Sequence, residues 1–532
     1  MLSDQLTRWC CIDRLSPQNL PGKWNYFRVP AHSDTNLTDC SGLAQEVAGT
    51  PDSAGSPLAS GDFLGRRLDL ARRISGILRG KGMMIRRMAV AVWLVGSCAV
   101  LGSSCSAQDN VSRMEQVIQS YVSSKRFMGS VLVARDQTIV LDKGYGFANL
   151  EWNVPNSPTT KFRLGSITKQ FTSASIFLLE ERGKLKVDDP VKKYMPDAPA
   201  AWDKVTIFNL LTHTSGIPSF TGFPDYASTE AIPTTPEKLV ARFRDKPLEF
   251  QPGEKWNYSN SGYVLLGYLI EKISGQPYAK FVQENIFVPL GMKDSGYDSN
   301  SALILHRASG YSPGASGQVN AGYIDMSIPL SAGGLYSTAE DLLRWEQGLF
   351  GGKLLSSASL QKMTTPFKND YACGLAVRMV KGLKLIEHGG GIEGFNTQLS
   401  YYPDEKLTVV VLGNLNGSSP GEIASKMAAL AHGEKVVLTE ERKEIVVPAK
   451  ILAEYVGSYE LGPGFVFAVT LEGDQLITQI TGQPKVPIFP ESETMFFPKV
   501  VDAEIEFFKN EKGQVTHLML HQGGRDTKAL KK

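Results

Sequence analysis

The chain has 532 residues, of which 42% are hydrophobic and 21% are charged, a composition typical of soluble globular proteins. Lys and Arg number 56 and Asp and Glu number 54, and no run of six like charges occurs. This argues against binding to nucleic acid and against membrane binding through a polybasic segment. Six cysteines in this length exclude a small disulfide-stapled domain. The length allows about two to four domains.

The sequence predicts a secretory signal peptide over residues 83–107. A basic start is followed by an apolar run and then by small residues, so we expect cleavage before Gln108 and export to the periplasm or the extracellular space. A transmembrane anchor is less favoured, because the apolar run is short for a membrane span and contains Gly and Ser. Lipid anchoring at Cys98 or Cys105 is also less favoured, since neither has a leucine three residues before it. Because signal peptides begin at the start codon, residues 1–82 are interpreted as an artefact of the assigned start or as a disordered leader.

The main domain is expected over residues 108–435, where helical and strand patterns alternate. One helix, which contains Ala174–Leu179, is apolar on nearly all sides and is expected to be central and buried. Two strands, then helices, then more strands predict an α+β layered domain whose sheet is assembled from both ends of this segment. The other predicted elements, in chain order, are helix Val111–Ser123, strands Gly129–Ala134 and Thr138–Gly144, helix Tyr263–Ser274, and strands Asn396–Tyr402 and Leu407–Leu412.

A linker is predicted over residues 436–447, where the chain becomes charged, and a second domain over residues 448–532. Apart from a short helix at Ile451–Tyr455, this domain has only short strand patterns separated by turns. The predicted strands are Phe465–Leu471, Gln475–Ile480, Ala503–Lys509 and Val515–Gln522. We therefore expect a small antiparallel meander or barrel.

The first candidate site is Ser166-x-x-Lys169, at the start of the apolar helix. Serine is a weak nucleophile that needs a base within hydrogen-bond reach, and residues three apart on a helix share a face. Apolar surroundings lower the pKa of a lysine, and a helix N-terminus offers backbone N–H groups to an oxyanion. Taken alone the pattern is weak, since Ser-x-x-Lys occurs by chance in most proteins.

The second candidate site is Tyr258-x-Asn260, on a loop just before a helix. In an extended backbone both side chains can face the same cleft. A neighbouring lysine cation is expected to drive the Tyr258 phenol toward phenolate, which could then shuttle the serine proton to a leaving group. Asn260 would orient Lys169 or hold a substrate carbonyl. The alternative is that Tyr258 is a half-buried aromatic residue and Asn260 a helix N-cap.

The third candidate site is the run His388-Gly389-Gly390-Gly391, between two apparent strands. Consecutive glycines let the backbone approach a ligand closely, and the N–H of Gly391 is a candidate oxyanion donor. His388 could supply a hydrogen-bond donor or a proton near neutral pH. The alternative is that the glycines form only a bulge or a turn.

The order and wide spacing of these three motifs strongly resemble those of the serine β-lactamase and penicillin-binding-protein superfamily. The similarity is strongest to its class C β-lactamase-like branch, which includes family VIII carboxylesterases and D-amino-acid-specific peptidases. The stretches 210–217 and 332–342 also resemble this branch, and the resemblance covers residues 111–431. It implies an antiparallel sheet flanked by helices with an all-helical lobe, and the last domain resembles small β-barrels appended to such hydrolases.

By this resemblance, Ser166 is the acylated nucleophile, Lys169 its activating partner, and Tyr258 the general base and acid. The backbone N–H groups of Ser166 and Gly391 are implied to form the oxyanion hole. The residues implied to bind substrate come from the second and third motifs: Asn260, His388, Gly390 and Gly391. His213 lies in a segment typical of the branch and is interpreted as structural rather than catalytic.

One position departs from many β-lactamases and penicillin-binding proteins, which carry lysine where this sequence has His388. Histidine is mostly neutral at pH 7, so its clamp on a substrate carboxylate is weaker than that of a lysine. This difference favours esters or peptide-like amides over penicillins.

We therefore expect an exported serine hydrolase that works through a covalent acyl-enzyme, without metal or cofactor. The three activities are ranked in this order: ester hydrolysis first, D-amino-acid peptidase activity second, and weak β-lactam hydrolysis third. The expected partners are small esters, peptides or β-lactams, with no nucleic acid and no integral membrane domain after signal cleavage, and the oligomeric state stays open. The alternatives are a class C-like β-lactamase or D-Ala-type carboxypeptidase acting on cell-wall peptides, and a non-catalytic sensor of cell-wall fragments or penicillin.

Overall fold

The computed structural model describes residues 109–462, 465–522 and 525–532. The predicted leader over 1–82 and the predicted signal peptide over 83–107 lie outside these ranges. Among the residues that the structure describes, no helix is both long enough and apolar enough to cross a membrane.

The main domain is built on an antiparallel sheet of six strands within the described ranges. The strands are Gly129–Arg135, Thr138–Tyr145, Ala376–Val380, Leu383–Ile392, Phe395–Tyr402 and Leu407–Gly413. The first strand pairs with the last, with Val131 opposite Val411, so the sheet is assembled from both ends of the domain as predicted. Both predicted strand pairs are confirmed.

Helices cover both faces of this sheet because apolar residues alternate along its central strands. Val131 and Val133 pack in one core with a helix over 109–123 and with helix Ser419–Ala431, whereas Leu132 packs in the core on the opposite face. That second core also receives helices Thr168–Glu181 and Ala339–Phe350. The prediction of an α+β layered domain is confirmed.

A helical lobe lies between the two parts of the sheet in the sequence. Its central helix, Thr168–Glu181, is buried from Thr168 to Leu179, as predicted. The remaining α-helices described in the domain are Ile207–Leu211, Tyr226–Thr229, Pro236–Arg244, Asn260–Ser274, Tyr278–Val282, Val288–Leu290, Leu330–Gly333 and Ser357–Thr364. Short strand pieces occur at Phe147–Asn149, Val154–Pro155, Phe162–Arg163, Gly296–Tyr297, Tyr311–Gly314, Gly317–Asn320 and Leu335–Ser337.

Helix Asn260–Ser274 begins three residues before its predicted start. Ser259 is its N-cap, and the Ser259 hydroxyl accepts a hydrogen bond from the N–H of Gly262 at 3.4 Å. Its end is as predicted: Gly275 adopts a left-handed conformation with φ 72°, which glycine tolerates without strain.

The C-terminal domain is a closed antiparallel barrel, which confirms the prediction. Its eight described strands are Gly457–Gly462, Phe465–Glu472, Gln475–Ile480, Val486–Pro490, Met495–Pro498, Glu504–Lys509, Val515–Gln522 and Arg525–Lys531. The preceding helix, Ala449–Tyr455, packs against the interior, where the Tyr455 ring stacks on Phe507 with a centroid separation of 4.4 Å.

Candidate active site

Ser166 lies in a 3₁₀ turn, Gly165–Ile167, that leads directly into helix Thr168–Glu181. Lys169 is the second residue of that helix, so the two side chains point to the same side. Lys169 Nζ lies 3.0 Å from Ser166 Oγ, and both residues are buried. A nucleophile and a base within hydrogen-bond distance are thus present at the first motif.

The amine of Lys169 has two further polar contacts, both with oxygen atoms that can only accept. They are the carbonyl oxygen of Ala332 at 2.8 Å and Oδ1 of Asn260 at 2.9 Å. Burial lowers the pKa of Lys169 well below its ordinary value, which favours the neutral amine. A neutral amine that donates its two hydrogens to these acceptors directs its lone pair at the hydroxyl of Ser166.

Tyr258 lies beside this pair, with its ring centroid 4.8 Å from Lys169 Nζ. Its hydroxyl is buried and has no hydrogen-bond partner within the described part of the chain. Burial raises the pKa of Tyr258, and the nearby Ser166 hydroxyl offsets this only in part. The expectation that a lysine cation drives Tyr258 toward phenolate is therefore wrong, because Lys169 is buried and its charged form is itself disfavoured.

Asn260 is the first residue of its helix, rather than a loop residue or the N-cap. Its Nδ2 donates to Thr221 Oγ1 and its backbone N–H donates to Ser219 Oγ, both at 3.1 Å. Since Oδ1 accepts from Lys169, these bonds fix the amide and, through it, the direction of the lysine amine. Two roles were considered for Asn260, to orient Lys169 or to hold a substrate carbonyl. The geometry supports the first.

The third motif lies inside strand Leu383–Ile392, not between strands as predicted. Gly390 in this motif, and Gly165 before the nucleophile, are required by a backbone contact within the protein. A Cβ atom on Gly390 would lie 1.9 Å from the carbonyl oxygen of Leu164, and a Cβ atom on Gly165 would lie 2.7 Å from the nitrogen of Gly391. The strand therefore packs directly on the Ser166 turn, which brings the Gly391 amide next to Gly165, the residue before the nucleophile.

His388 is a buried, neutral residue held by two hydrogen bonds. Its Nδ1 is 2.6 Å from the carbonyl oxygen of Gly389, so Nδ1 carries the hydrogen, and Nε2 accepts from the hydroxyl of Tyr371 at 3.0 Å. Burial and the nearby Lys169 lower the pKa of His388 to about 3. The first position of the third motif thus carries no charge at neutral pH.

Besides Ser219 and Thr221, sequence reasoning missed Tyr371 and Ala332, which contact His388 and Lys169. Tyr371 belongs to a loop between helix Ser357–Thr364 and the sheet, and no motif or periodicity pointed to it. Ala332 lies in a stretch that resembles the family, yet its role is carried by a backbone carbonyl, which side-chain chemistry does not reveal. His213, interpreted as structural, is fully buried with its ring against Tyr258 at a centroid separation of 4.2 Å.

Two family models match this chain. The Beta-lactamase model covers residues 114–434, which include all three motifs. A model described as a domain of unknown function, DUF3471, covers residues 441–530, which include the barrel strands through most of the last one.

Known proteins are similar to this chain over most of their own length. Penicillin-binding protein 4* of Bacillus subtilis (strain 168) is 30% identical over 449 residues, which cover 79% of this chain and 98% of that protein. The octameric penicillin-binding protein homologue from Pyrococcus abyssi is 29% identical with a TM-score of 0.57, and the match covers 79% of this chain and 100% of that one. A D-stereospecific amidohydrolase from Streptomyces sp. is 25% identical with a TM-score of 0.53, covering 61% of this chain and 99% of that one.

Proposed function

The chain belongs to the beta-lactamase family of serine hydrolases, and on that premise we propose that it is an exported enzyme that cleaves ester or amide bonds through a covalent acyl-enzyme on Ser166. The observation that carries this proposal is the 3.0 Å contact between Lys169 Nζ and Ser166 Oγ. The amine is buried and, among the described residues, no carboxylate forms an ion pair with it, so it is available as a proton acceptor.

In the proposed acylation step, Ser166 Oγ attacks the carbonyl carbon of the substrate. A bond forms between oxygen and carbon, the carbonyl electron pair moves to its oxygen, and the serine proton passes to the lone pair of Lys169. The N–H groups of Ser166 and Gly391 are proposed to stabilise the oxyanion, since the Gly391 amide lies against the Ser166 turn.

Collapse of this intermediate re-forms the carbonyl and breaks the bond to the leaving group, which takes a proton. We assign that proton to the Tyr258 phenol, whose raised pKa keeps it protonated, and the proton on Lys169 then restores the phenol. In the second half of the reaction a water molecule attacks the acyl carbon and gives a proton to the neutral Lys169. The bond from that carbon to Ser166 Oγ breaks, the acid is released, and Lys169 returns the proton to Oγ, 3.0 Å away.

The proposed substrate preference rests on the neutral His388. Penicillins carry a carboxylate, and a neutral imidazole with both nitrogens already hydrogen-bonded offers it no positive charge. We therefore place esters first, D-amino-acid amides and peptides second, and β-lactams third.

Covalent binding of penicillin is a second candidate function. It is favoured by the name of the Bacillus subtilis relative, which this chain matches over 98% of that protein's length. The same nucleophile would open the β-lactam ring, so the two functions differ in the substrate and in the rate of deacylation.

Export is proposed from residues 83–107 alone. N-terminal sequencing of the mature protein tests it: a chain that begins at Gln108 supports export with cleavage, and a processed chain that retains Leu68 contradicts it.

The proposed activity is tested by labelling the protein with a fluorophosphonate and with a fluorescent penicillin, in parallel with Ser166→Ala. We expect a covalent adduct on the unmodified protein and none on the variant, and turnover of short p-nitrophenyl esters above that of D-alanyl amides and nitrocefin. Failure of both reagents to label the protein would contradict the hydrolase and favour a non-catalytic sensor.

A further inference from the structure

His213 holds the chain on both sides of Tyr258. Its backbone carbonyl accepts the N–H of Asn257 at 3.0 Å, and its side-chain Nδ1 accepts the N–H of Ser259 at 3.1 Å. The residues before and after Tyr258 are therefore both bonded to one residue. His213 reaches this position with a left-handed backbone, φ 57°, which is uncommon outside glycine but in which asparagine, aspartate and histidine are enriched.

The imidazole of His213 also packs against the Tyr258 ring. The two centroids lie 4.2 Å apart with an interplanar angle of 39°, and the rings of Tyr371 and Tyr263 lie 4.7 Å and 5.0 Å away. Because Nδ1 accepts, Nε2 carries the hydrogen. In the described residues this Nε2–H is buried without a hydrogen-bond partner, although His213 is only 1% exposed.

A buried unpartnered donor destabilises a fold and is rare, so its presence beside a candidate active site requires an explanation. An apolar ring would fill the same space without that donor, but it would leave the Ser259 N–H without its acceptor. The combination of a flat ring with an acceptor at Nδ1 accounts for a histidine here.

We propose that His213 is a positioning residue that fixes the Tyr258 phenol beside the Lys169–Ser166 pair. The inference rests on the proposed function, since it assigns Tyr258 the proton transfer to the leaving group. A displacement of about 1 Å at a reacting group lowers the rate by up to about 100-fold, so kcat depends directly on how precisely His213 holds Tyr258.

Two substitutions of equal polarity separate the effect of the hydrogen bond between His213 and Ser259 from the effect of filling the buried space. In His213→Asn, Oδ1 occupies the place of Nδ1 and accepts the same N–H, and asparagine tolerates a positive φ. In His213→Gln, the amide reaches the place of Nε2 instead, so the bond to Ser259 is lost. Both variants lose the ring, and the second also loses the acceptor. Because glutamine tolerates the positive φ less readily than asparagine, the position of Tyr258 in the two structures is needed beside kcat.

We expect His213→Gln in the full chain to lower kcat for a p-nitrophenyl ester about 10- to 100-fold with KM nearly unchanged. His213→Asn is expected to recover most of that loss. His432 supplies the matched control: its Nδ1 is also bonded, its Nε2 is also buried without a partner in the described residues, and it packs on the Tyr402 ring, away from all three motifs. His432→Gln should leave kcat unchanged.

Crystal structures of the two His213 variants test the positioning of Tyr258 by His213 without an activity measurement. We expect the Tyr258 hydroxyl to move by about 1 Å or more in His213→Gln and to stay in place in His213→Asn. An unmoved Tyr258 in His213→Gln, or equal kcat losses in both variants, would overturn the proposal. A wild-type protein that neither labels nor turns over refutes the proposed function, while the two structures still decide the role of His213.

Discussion

Gly390 and Leu164 touch backbone to backbone: a Cβ atom on Gly390 would lie 1.9 Å from the Leu164 carbonyl oxygen. The hydroxyl of Thr397, on the neighbouring strand, donates to that same oxygen at 2.8 Å. The contact joins the sheet to the turn that carries Ser166, two residues further on. It therefore sets the spacing between the two N–H groups proposed for the oxyanion hole.

Gly390→Ala is expected to push the strand away from the Ser166 turn. The added methyl group should destabilise the fold by about 1–3 kcal/mol and lower ester turnover, because the oxyanion donors separate. Gly389→Ala is the matched control, since its Cβ would meet the end of the flexible Gln398 side chain at 3.1 Å and the Thr397 carbonyl oxygen at 3.6 Å, an ordinary van der Waals distance. Chemical denaturation and p-nitrophenyl ester hydrolysis measure both effects. Equal behaviour of the two alanine variants would contradict the argument.

Lys169→Met should slow acylation of Ser166 by about 100- to 10,000-fold at neutral pH, the usual contribution of a general base. Because burial lowers the pKa of Lys169, the wild-type labelling rate should persist at pH values below the ordinary pKa of a lysine and fall as pH drops through the lowered pKa, where protonation removes the lone pair. The rate of fluorophosphonate labelling measures this. Lys143→Met, an exposed lysine on an outer strand, serves as the control. A decrease in the labelling rate of less than about 100-fold would show that Lys169 is not the base.

The sequence predicts the sheet and the buried helix well, because both depend on local patterns. Val131, Leu132 and Val133 alternate between two cores, and helix Thr168–Glu181 is apolar on nearly all sides. The barrel was predicted with only four of its eight described strands. Pro487, Pro490 and Pro498 interrupt the strand pattern in two of the missed strands, although the barrel accommodates them.

The candidate site is predictable where a motif brings its own chemistry, as Ser166 and Lys169 do. What the sequence does not provide is the environment of each group. The neutrality of His388 depends on burial and on Tyr371, which is bonded to it from a loop with no pattern of its own. The protonated state of Tyr258 likewise depends on burial, which outweighs any nearby charge.

Tyr371→Phe removes the hydroxyl that donates to His388 Nε2. The imidazole nitrogen would then be buried without a donor, so we expect a loss of about 1–3 kcal/mol in the free energy of unfolding. Because His388 would be free to turn, KM for small esters should rise more than kcat falls. Tyr297→Phe also removes a hydrogen-bonded hydroxyl, from a bond to Met326 outside the three motifs, and should leave KM unchanged. Unaltered stability and KM in Tyr371→Phe would contradict the assigned bond.

The buried carboxyl group of Glu346 is expected to make the stability of the fold depend on pH. It is buried on helix Ala339–Phe350, and in the described part of the chain its Oε2 has no hydrogen-bond partner. Burial raises the pKa of Glu346 from 4.5 to about 8 in the folded protein. Between these two values the unfolded chain is ionised while the folded chain keeps its proton, so the contribution of Glu346 to stability is complete at low pH and is lost as pH rises.

Glu346→Gln keeps the shape of the side chain and removes its titration. The free energy of unfolding of the wild type should therefore fall relative to that of the variant from about pH 5 to pH 8, by up to about 1.4 kcal/mol per pH unit, and the difference should become constant above that range. Glu472→Gln, at an exposed site on the barrel, should follow the wild-type curve. Urea denaturation over pH 5 to 9 gives the three curves. Parallel curves for the wild type and Glu346→Gln would show that Glu346 titrates at its ordinary pKa, and the folded protein would then have to hold a charged carboxylate where no described residue donates to Oε2.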